Sequence, residues 1–384
     1  MTTPELQAPP ISLYIHIPWC VQKCPYCDFN SHGVKSAIPE TEYIQHLLAD
    51  LSIDAKLVGD RPIQSIFFGG GTPSLFSPEA IAAILNGVAE RVNLSVDAEI
   101  TLEANPGTVE NARFEGFMQA GINRISIGVQ SFHSEHLLTL GRIHDSKQAT
   151  RALEYAQQLK LNSFNVDLMH GLPKQDAHLA LDDLHHAIAL NAPHISWYQL
   201  TIEPNTLFHS KPPTLPEDEI LWDIQEQGQT LLAKSGYNQY EVSAYCKPEQ
   251  QCQHNINYWR FGDYIGIGCG AHGKITQAGT GSIQRRVKIK HPKGYMSSNE
   301  YLSEHWQVAP EDRPFEFFMN QFRLVEPCPI ARFEATTGVN ANNATVQEFI
   351  RGAEQKGLLA VSHDKWETTA LGKRFLNELL SECL

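Results

Sequence analysis

The length, composition and charge of the chain exclude several classes of protein. Its 384 residues, 42% hydrophobic and 19% charged, are typical of a globular chain with one large or two unequal domains, not of a disordered or fibrous protein. A net charge of −13 at pH 7 disfavours attraction to nucleic-acid phosphates, so we expect no nucleic-acid partner. The sequence has neither an apolar run of about 18 residues nor a recognisable signal peptide, which predicts a cytoplasmic protein.

Strand-like and helix-like segments alternate from residue 11 to about residue 245. Seven short runs of apolar and β-branched residues are typical of buried parallel strands, and segments with apolar residues at helical spacing lie between them. This alternation predicts βα units that form a parallel sheet or barrel, with functional residues after the carboxyl ends of the strands. The runs are ISLYIHI (11–17), IQSIFF (63–68), AEITLE (98–103), RISIGV (124–129), NSFNVDL (162–168), HISWYQL (194–200) and QYEVSAY (239–245).

The alternation ends after residue 245, and we expect three parts in the chain. Residues 1–245 are the predicted α/β core. Residues 246–310 are interpreted as a linking segment of loops and short antiparallel strands, with a solvated basic stretch from Arg285 to Lys293. Residues 311–384 return to helical patterns with one strand-like stretch, which predicts a smaller, winged-helix-like C-terminal module.

Three cysteines give the strongest functional signal. Cys20, Cys24 and Cys27 lie within eight residues, directly after the first predicted strand. In a reducing compartment this spacing favours a metal or cluster site over disulfides. Structural zinc and four-cysteine iron–sulfur sites need a fourth ligand, and no CxxC or HxxxH pair elsewhere in the sequence supplies one. Three thiolates therefore fit a cubane cluster with one open iron, and zinc completed by a distant histidine is the alternative.

Polar residues and glycines follow the next predicted strands. The Gly69–Pro73 segment, GGGTP, lets backbone groups approach a ligand closely. Glu103, Gln130, Arg142 and Asp167 stand at or after later strand ends. Each of these side chains, taken singly, could instead cap a helix or form an ion pair.

The CxxxCxxC motif on the first βα loop resembles that of the radical S-adenosylmethionine (SAM) superfamily. LYIHIPWC, GGGTP, EANP, SIGVQSF and DLMHGLPKQ resemble its oxygen-independent coproporphyrinogen III oxidase group over residues 11–245. The resemblance implies a partial (β/α)6 barrel with a [4Fe-4S] cluster on the three cysteines and SAM at the open iron. It also implies a SAM pocket formed by Tyr14, Gly70, Gly71, Thr72, Glu103, Gln130, Arg142 and Asp167, with Tyr26 beside the cluster.

Two features differ from the oxidase and are typical of the HemW-type branch of that group. Phe29 stands where the oxidase has a fourth cysteine, two residues after the third. Only 19 residues precede Cys20, whereas the oxidase has a long N-terminal extension. The resemblance to this branch implies a haem chaperone that carries haem to haemoproteins.

The HNxxYW signature of the same branch is present as HNINYW at residues 254–259. An imidazole can ligate haem iron, and nearby tyrosine and tryptophan can pack on the macrocycle, so His254 is the candidate axial ligand. In the alternative, His254 only forms hydrogen bonds within a loop and Trp259 belongs to the core. Cys252 could also supply a thiolate.

Two functional hypotheses follow, and the sequence does not decide whether the chain is an enzyme. In the first, the protein is a haem chaperone for an unknown acceptor haemoprotein, and its cluster and SAM act structurally, for example by promoting a homodimer. In the second, it is an active radical SAM enzyme that decarboxylates coproporphyrinogen III, with an unrelated substrate as a third reading. Both hypotheses are compatible with contact between the protein and a membrane surface.

Overall fold

The computed structural model describes residues 4–108 and 111–383. The strands in chain order are β1 (Ile11–Ile17), β2 (Trp19–Cys20), β3 (His32–Gly33), β4 (Ile63–Gly70), β5 (Leu94–Ala104), β6 (Arg124–Gln130), β7 (Ser163–His170), β8 (His194–Gln199), β9 (Asn238–Glu241), β10 (Ala244–Cys246), β11 (Asp263–Ile267), β12 (His272–Gln277), β13 (Ser282–Lys288), β14 (Leu302–Gln307), β15 (Cys328–Pro329), β16 (Leu359–Val361) and β17 (Lys365–Thr368).

The helices in chain order are α1 (Glu40–Val58), α2 (Pro78–Ala89), α3 (Asn111–Ala120), α4 (Ser134–Thr139), α5 (Ser146–Gln158), α6 (Ala177–Ala189), α7 (Leu207–Ser210), α8 (Asp218–Lys234), α9 (Gln253–Trp259), α10 (Pro292–Met296), α11 (Arg313–Gln321), α12 (Ile330–Thr337), α13 (Ala344–Gln355), α14 (Ala370–Arg374) and α15 (Leu376–Ser381). Short 3₁₀ helices cover Pro73–Leu75, Pro106–Thr108 and Ala278–Thr280.

Six neighbouring strands of the main sheet pair in parallel in the order β1, β4, β5, β6, β7, β8. Helices connect each of these strands to the next, as parallel pairing requires. The predicted α/β fold is confirmed. Parallel strands end at one edge of a sheet, so the loops after β1 and β4–β8 lie on the same side of the molecule.

The two faces of this sheet differ in polarity because successive side chains of a strand point to opposite faces. Apolar residues such as Ile15, Ile66 and Leu102 belong to the main core together with residues of the crossover helices. The other face carries hydrogen-bonded polar groups, and Asn165 Nδ2 donates to Ser126 Oγ at 2.7 Å. This polar face lines the inside of the barrel, which therefore suits a polar ligand.

One predicted parallel strand is wrong. The run QYEVSAY forms two short antiparallel strands, β9 and β10, at the β8 edge of the sheet. Between them, the Val242 N–H donates to the Arg323 carbonyl at 2.9 Å, and the Ser243 carbonyl accepts from the Trp197 N–H at 2.7 Å. These tertiary contacts interrupt a run of residues that the sequence pattern predicts to be one continuous strand.

The opposite edge of the sheet is formed by residues after 245. Strand β11 pairs parallel to β1, and β12, β13 and β14 extend the sheet with antiparallel pairing. The HNINYW motif belongs to helix α9, so its interpretation as part of a segment of loops and short strands is wrong. The helix has seven residues and packs on β4, β1 and β11.

The basic stretch after Gly279 is also not the solvated loop we expected. Lys288 is 1% exposed and lies in β13, with its ammonium in contact with Asp50 and 2.8 Å from Asp54. Arg286 donates to Asp54 at 2.7 Å. Both aspartates are on α1, so a buried ion cluster fastens the edge strand to the first helix. Tyr295 adds a hydrogen bond to Asp50 at 2.7 Å.

The C-terminal residues form a small module with its own core. Helices α11–α15 surround a three-stranded sheet in the order β15, β17, β16. Phe317, Phe318, Phe333 and Trp366 are buried together in this second core. The division of the chain at residues 245 and 310 stays a prediction, since strands from both sides of residue 245 share one sheet. Among the described residues, no helix combines the length and apolarity needed to cross a bilayer.

Candidate functional site

The three clustered cysteines lie on the loop after β1. Cys20 is buried, Cys24 and Cys27 are partly exposed, and the Cys27 N–H closes a turn onto the Cys24 carbonyl at 3.2 Å. Asn30, which follows Cys27 by three residues, anchors the loop to residues that lie much later in the sequence. Its Nδ2 donates to the carbonyls of Cys269 (3.0 Å) and Lys290 (2.8 Å). The predicted loop therefore exists as a defined structure.

Two hydrogen-bond donors approach the thiols. Thr72 Oγ1 lies 3.6 Å from Cys20 Sγ, and Arg142 Nη1 lies 3.6 Å from Cys24 Sγ. Burial raises the pKa of the Cys20 thiol, while Thr72 acts in the opposite direction. The pKa of Cys27 is raised by burial as well. Metal binding would replace these protons and stabilise the thiolates.

The loop fits an iron–sulfur cluster better than a single metal ion. Within residues 4–108 and 111–383, no three Cys, His, Asp or Glu side chains stand close enough to hold one ion. A cubane spreads its thiolates over different irons, so its ligands need not meet at a point. Cys24 and Cys27 line a cavity of about 620 Å³, whereas Cys20 is buried outside its lining. The alternative of a zinc ion gains no support from this geometry.

The glycine segment after β4 lies directly beside the cysteine loop. The Gly71 N–H donates to the Ile17 carbonyl and the Thr72 N–H to the Trp19 carbonyl, both at 2.8 Å. Gly70 has a φ of +113°, and a Cβ there would lie 2.5 Å from the His16 ring. A Cβ on Gly71 would lie 2.6 Å from the Trp19 carbonyl oxygen. Only glycine permits this close approach of the two loops.

Two partly buried carboxylates, Glu103 and Asp167, face the interior of the barrel. The pKa of Glu103 is raised to about 8 by burial and then by the negative charge of Asp167. Burial also raises the pKa of Asp167, although hydrogen bonds from Asn165 and Ser126 oppose the shift. The pKa of Tyr14 is raised by burial and by Glu103. This pair of acids lacks a full complement of positive charge, which suits a cationic ligand.

The remaining predicted SAM residues surround the same space. Gln130 has a φ of +73° and its Oε1 accepts from the Tyr198 hydroxyl at 2.8 Å. Arg142 Nη2 donates to the Gly128 carbonyl at 2.6 Å, and its buried Nε has no hydrogen-bond partner among the described residues. Tyr26 interacts electrostatically with both Arg142 and Cys24. The structure thus brings the predicted residues into one connected neighbourhood.

His254 lies deeper in the barrel, away from the cysteine loop. Its Nδ1 is 3.0 Å from Ser65 Oγ, and its ring lies 5.1 Å from that of Phe67. Ser65 precedes Gly70 by five residues of β4, so the Cα atoms of these two residues are about 16 Å apart along the strand. Burial, with a contribution from Arg124, lowers the pKa of His254 to about 3, so the imidazole is neutral.

The hydrogen-bond network assigns the proton of this imidazole. Ser65 Oγ donates to Ser12 Oγ at 2.8 Å, so it accepts from His254 Nδ1–H. Ser12 also accepts from Asn257 Nδ2 at 2.9 Å, and Asn257 in turn donates to the Asp263 carbonyl. The lone pair of His254 is therefore on Nε2, the arrangement found in metal-ligating histidines whose other nitrogen is fixed by a partner.

Sequence reasoning missed the residue that holds α9 in place. Glu99, on β5, accepts from the backbone N–H groups of Gln253 and His254, both at 3.1 Å. Its carboxylate also lies 3.9 Å from Arg124, which is 3% exposed. Strand alternation could have indicated Glu99. It is an even number of residues from Glu103, so both side chains lie on the same face of β5.

Comparisons with known proteins identify the family of the chain. The profile of the radical SAM superfamily matches residues 14–185, and that of the HemN C-terminal domain matches residues 308–375. The chain is 57% identical to the heme chaperone HemW of Escherichia coli (strain K12) over 98% of both chains. The chain belongs to the HemW family of the radical SAM superfamily. The resemblance seen in the sequence is confirmed, and the family implies a [4Fe-4S] cluster and SAM.

Other relatives extend the comparison. The heme chaperone HemW of Haemophilus influenzae is 57% identical, with 97% of each chain covered. The mitochondrial radical S-adenosyl methionine domain-containing protein 1 of Mus musculus is 38% identical over 75% of this chain and 66% of its own. The structure of E. coli coproporphyrinogen III oxidase (HemN) matches with a TM-score of 0.83 at 21% identity, covering 98% of this chain and 90% of that one. At this identity the match supports the shared fold.

Proposed function

We propose that this protein is a haem chaperone, which binds haem and delivers it to an acceptor haemoprotein. The observation that carries the proposal is the 57% identity, over nearly the full length, to proteins named heme chaperones. The geometry of His254 supports it, because a neutral imidazole with a free Nε2 lone pair can bind haem iron. Ser65 would fix the ring orientation, and Phe67 would supply an apolar contact beside it.

The three cysteines would hold a [4Fe-4S] cluster, which in this superfamily supplies the electron for SAM cleavage. Thr72 and Arg142 would donate to the sulfur ligands. Glu103 and Asp167 would accept hydrogen bonds from the ammonium group or the ribose hydroxyls of SAM, and the backbone of Gly70, Gly71 and Thr72 would bind its polar end. Tyr14, Tyr26 and Gln130 would complete the walls of the pocket.

An active radical SAM enzyme that decarboxylates coproporphyrinogen III is the second candidate function. The presence of Glu103 and Asp167 favours it, because radical formation would need the intact SAM pocket to which both carboxylates belong. Phe29 argues against it, since this side chain is 61% exposed at the position where the oxidase has a cysteine. Anaerobic incubation with coproporphyrinogen III, dithionite and SAM distinguishes the two, and formation of the divinyl product would establish the enzyme.

The chaperone proposal is tested by anaerobic titration of the cluster-reconstituted protein with haemin, followed at the Soret band. Porphyrins adhere non-specifically to apolar surfaces, so the test depends on the difference in haemin binding between the wild type and its variants. We expect His254→Ala to shift the Soret band and to weaken its saturable binding about tenfold, the loss of one coordinate bond. His363→Ala is the matched control, because that side chain is 93% exposed. Haemin binding that does not saturate and is the same in His254→Ala as in the wild type would indicate that the HNINYW helix has only a structural role.

Haem transfer gives the second readout. Haem-loaded protein should pass haem to an apo-haemoprotein faster than free haemin is taken up. Cys20→Ala, which removes a predicted cluster ligand, should slow this transfer or change the oligomeric state measured by light scattering. If cluster loss alters neither transfer nor oligomeric state, a structural role of the cluster in the chaperone is refuted.

The same proposal includes the setting in which the protein works. We place it in the cytoplasm, with haem and an unidentified acceptor haemoprotein as partners and with a homodimer as the form promoted by cluster and SAM. A membrane surface is a further place where it would meet an acceptor. We propose the working division 1–245 for the radical SAM core, 246–310 for the linking segment with the HNINYW helix, and 311–384 for the C-terminal module.

A further inference from the structure

Ser31, which follows the three cysteines, has a buried hydroxyl without a hydrogen-bond partner. It lies four residues after Cys27 and is 7% exposed. Among the described residues, no group forms a hydrogen bond of normal geometry with its Oγ. Buried hydroxyls are normally paired, so an unpaired one beside a predicted ligand loop calls for an explanation.

The backbone around Ser31 is fixed on both sides. The Ser31 N–H donates to the Phe29 carbonyl at 2.7 Å, and the N–H of the next residue, His32, donates to the Pro18 carbonyl at 2.7 Å. Asn30, the residue before Ser31, is anchored through its side chain as described above. The Ser31 side chain is therefore held in place by contacts that do not involve its own hydroxyl.

The pairing of β2 with β3 places the Ser31 side chain beside the cysteine sulfurs. The two strands are parallel, and Cys20 lies opposite Gly33. Ser31 is two residues before Gly33, so its side chain lies on the same face as that of Cys20. Burial raises the pKa of the Cys20 and Cys27 thiols, and at both residues the Ser31 side chain acts in the opposite direction. A nearby donor that stabilises a thiolate has this effect.

Cys27 is the thiol that Ser31 serves best. The sulfur atoms of Cys20 and Cys24 each have another side-chain donor at 3.6 Å, as described above. The donors that approach Cys27 are the Phe29 backbone and the Ser31 side chain. A protonated thiol is a weak acceptor, whereas a thiolate accepts a stronger, charge-assisted hydrogen bond. The Ser31 hydroxyl therefore gains its partner when Cys27 is a thiolate.

We propose that the Ser31 hydroxyl donates a hydrogen bond to the Cys27 sulfur in the cluster-loaded protein and thereby raises the reduction potential of the cluster. Reduction adds negative charge to the cluster and its sulfur ligands, so a donor to sulfur stabilises the reduced state more than the oxidised state. A cluster with a higher potential is a weaker reductant towards SAM, which suits a protein that uses SAM as a bound ligand. This role of Ser31 rests on the cluster that we propose for the three cysteines.

The test is an anaerobic redox titration of the full-length, cluster-loaded protein without SAM or haemin, followed by the electron paramagnetic resonance signal of the reduced cluster. At the midpoint potential of the wild type, we expect Ser31→Ala to lower the ratio of reduced to oxidised cluster about three- to tenfold. For a one-electron couple, a tenfold change corresponds to a shift of about 59 mV, here in the negative direction. The ratio does not depend on how much of the protein is loaded.

Two further variants separate the hydroxyl group from the space that the side chain fills. Ser31→Thr keeps a hydroxyl and should give a ratio within about twofold of the wild type. Ser163→Ala is the matched control, because the Ser163 Oγ is also buried and unpaired within the described part of the chain but lies at the amino end of β7, away from the cysteine loop. It should leave the ratio unchanged. Thermal denaturation and iron content verify that each variant is folded and loaded.

Each outcome decides the role of Ser31. A change of less than about threefold in loaded Ser31→Ala protein overturns it, and so does an equal change in Ser31→Thr. Folded Ser31→Ala protein that holds no iron supports the role if Ser31→Thr keeps the cluster at the wild-type potential, whereas loss of iron from both variants overturns it. Wild-type protein that takes up no iron refutes the proposed cluster itself, and the haemin titration reports separately on the chaperone function.

Discussion

Replacement of Glu99 by alanine should loosen the helix that carries His254. Cys252, the N-cap residue of α9, provides no side-chain cap, and the Glu99 carboxylate takes that role for the N–H groups of Gln253 and His254. A lost N-cap costs about 1 kcal/mol, and a lost negative charge at a helix N-terminus about 1 kcal/mol more where it is partly buried. We therefore expect α9 to lose about 2 kcal/mol of local stability.

Hydrogen–deuterium exchange of peptides that cover residues 253–259 measures this loss directly. A decrease of about 2 kcal/mol in the free energy of local opening corresponds to exchange that is roughly thirtyfold faster. The effect should be confined to α9 and the neighbouring part of β4, because β5 keeps its pairing with β4 and β6. Haemin binding should weaken in parallel, since His254 loses its fixed orientation.

Glu90→Ala is the matched control, because the Glu90 side chain is 75% exposed at the end of α2. It should leave exchange in α9 unchanged. The reasoning is refuted if Glu99→Ala protein is folded and exchanges at residues 253–259 within threefold of the wild-type rate. In that case side-chain packing, and not the carboxylate, holds the helix.

Three further predictions concern the buried charges and the glycine segment. Lys288→Met leaves Asp50 and Asp54 buried without their ammonium partner, and urea denaturation should show a loss of about 3–5 kcal/mol. Because the pKa of Glu103 is about 8 before a cation binds, calorimetry should show SAM affinity rising by up to about tenfold per pH unit from pH 6 to 8, and Glu103→Gln should abolish this dependence. Gly71→Ala puts a Cβ 2.6 Å from a carbonyl oxygen, so iron content and SAM binding should both fall, whereas Gly279→Ala, in open space, should retain them.

The core fold and the cysteine loop could be predicted because both depend on local sequence. Runs of β-branched residues such as 63–68 are short, buried and separated by helical periodicity, which is sufficient to indicate parallel strands. The spacing of Cys20, Cys24 and Cys27 within one loop is by itself the pattern from which we predict three ligands. Neither inference needs knowledge of distant contacts.

The features that sequence reasoning missed depend on partners far away in the chain. Helix α9 has seven residues and no apolar periodicity, and it owes its position to Glu99, more than 150 residues earlier. A charged stretch is normally solvated, but Lys288 is buried because its ammonium pairs with Asp50 and Asp54 of α1. The break between β9 and β10 similarly follows from a backbone contact with Arg323. Local pattern has no access to such pairings.

The anchoring of Asn30 has a consequence for the order of events during synthesis. The cysteine loop leaves the ribosome early, yet two of its hydrogen bonds end on the carbonyls of Cys269 and Lys290. During synthesis these two bonds cannot form until residues 269 and 290 have been added to the chain. The cysteines of the loop are therefore synthesised before the residues that anchor the loop, and during that interval the loop lacks these two hydrogen bonds. If the loop holds the [4Fe-4S] cluster that we propose, we expect cluster insertion to follow translation of most of the barrel.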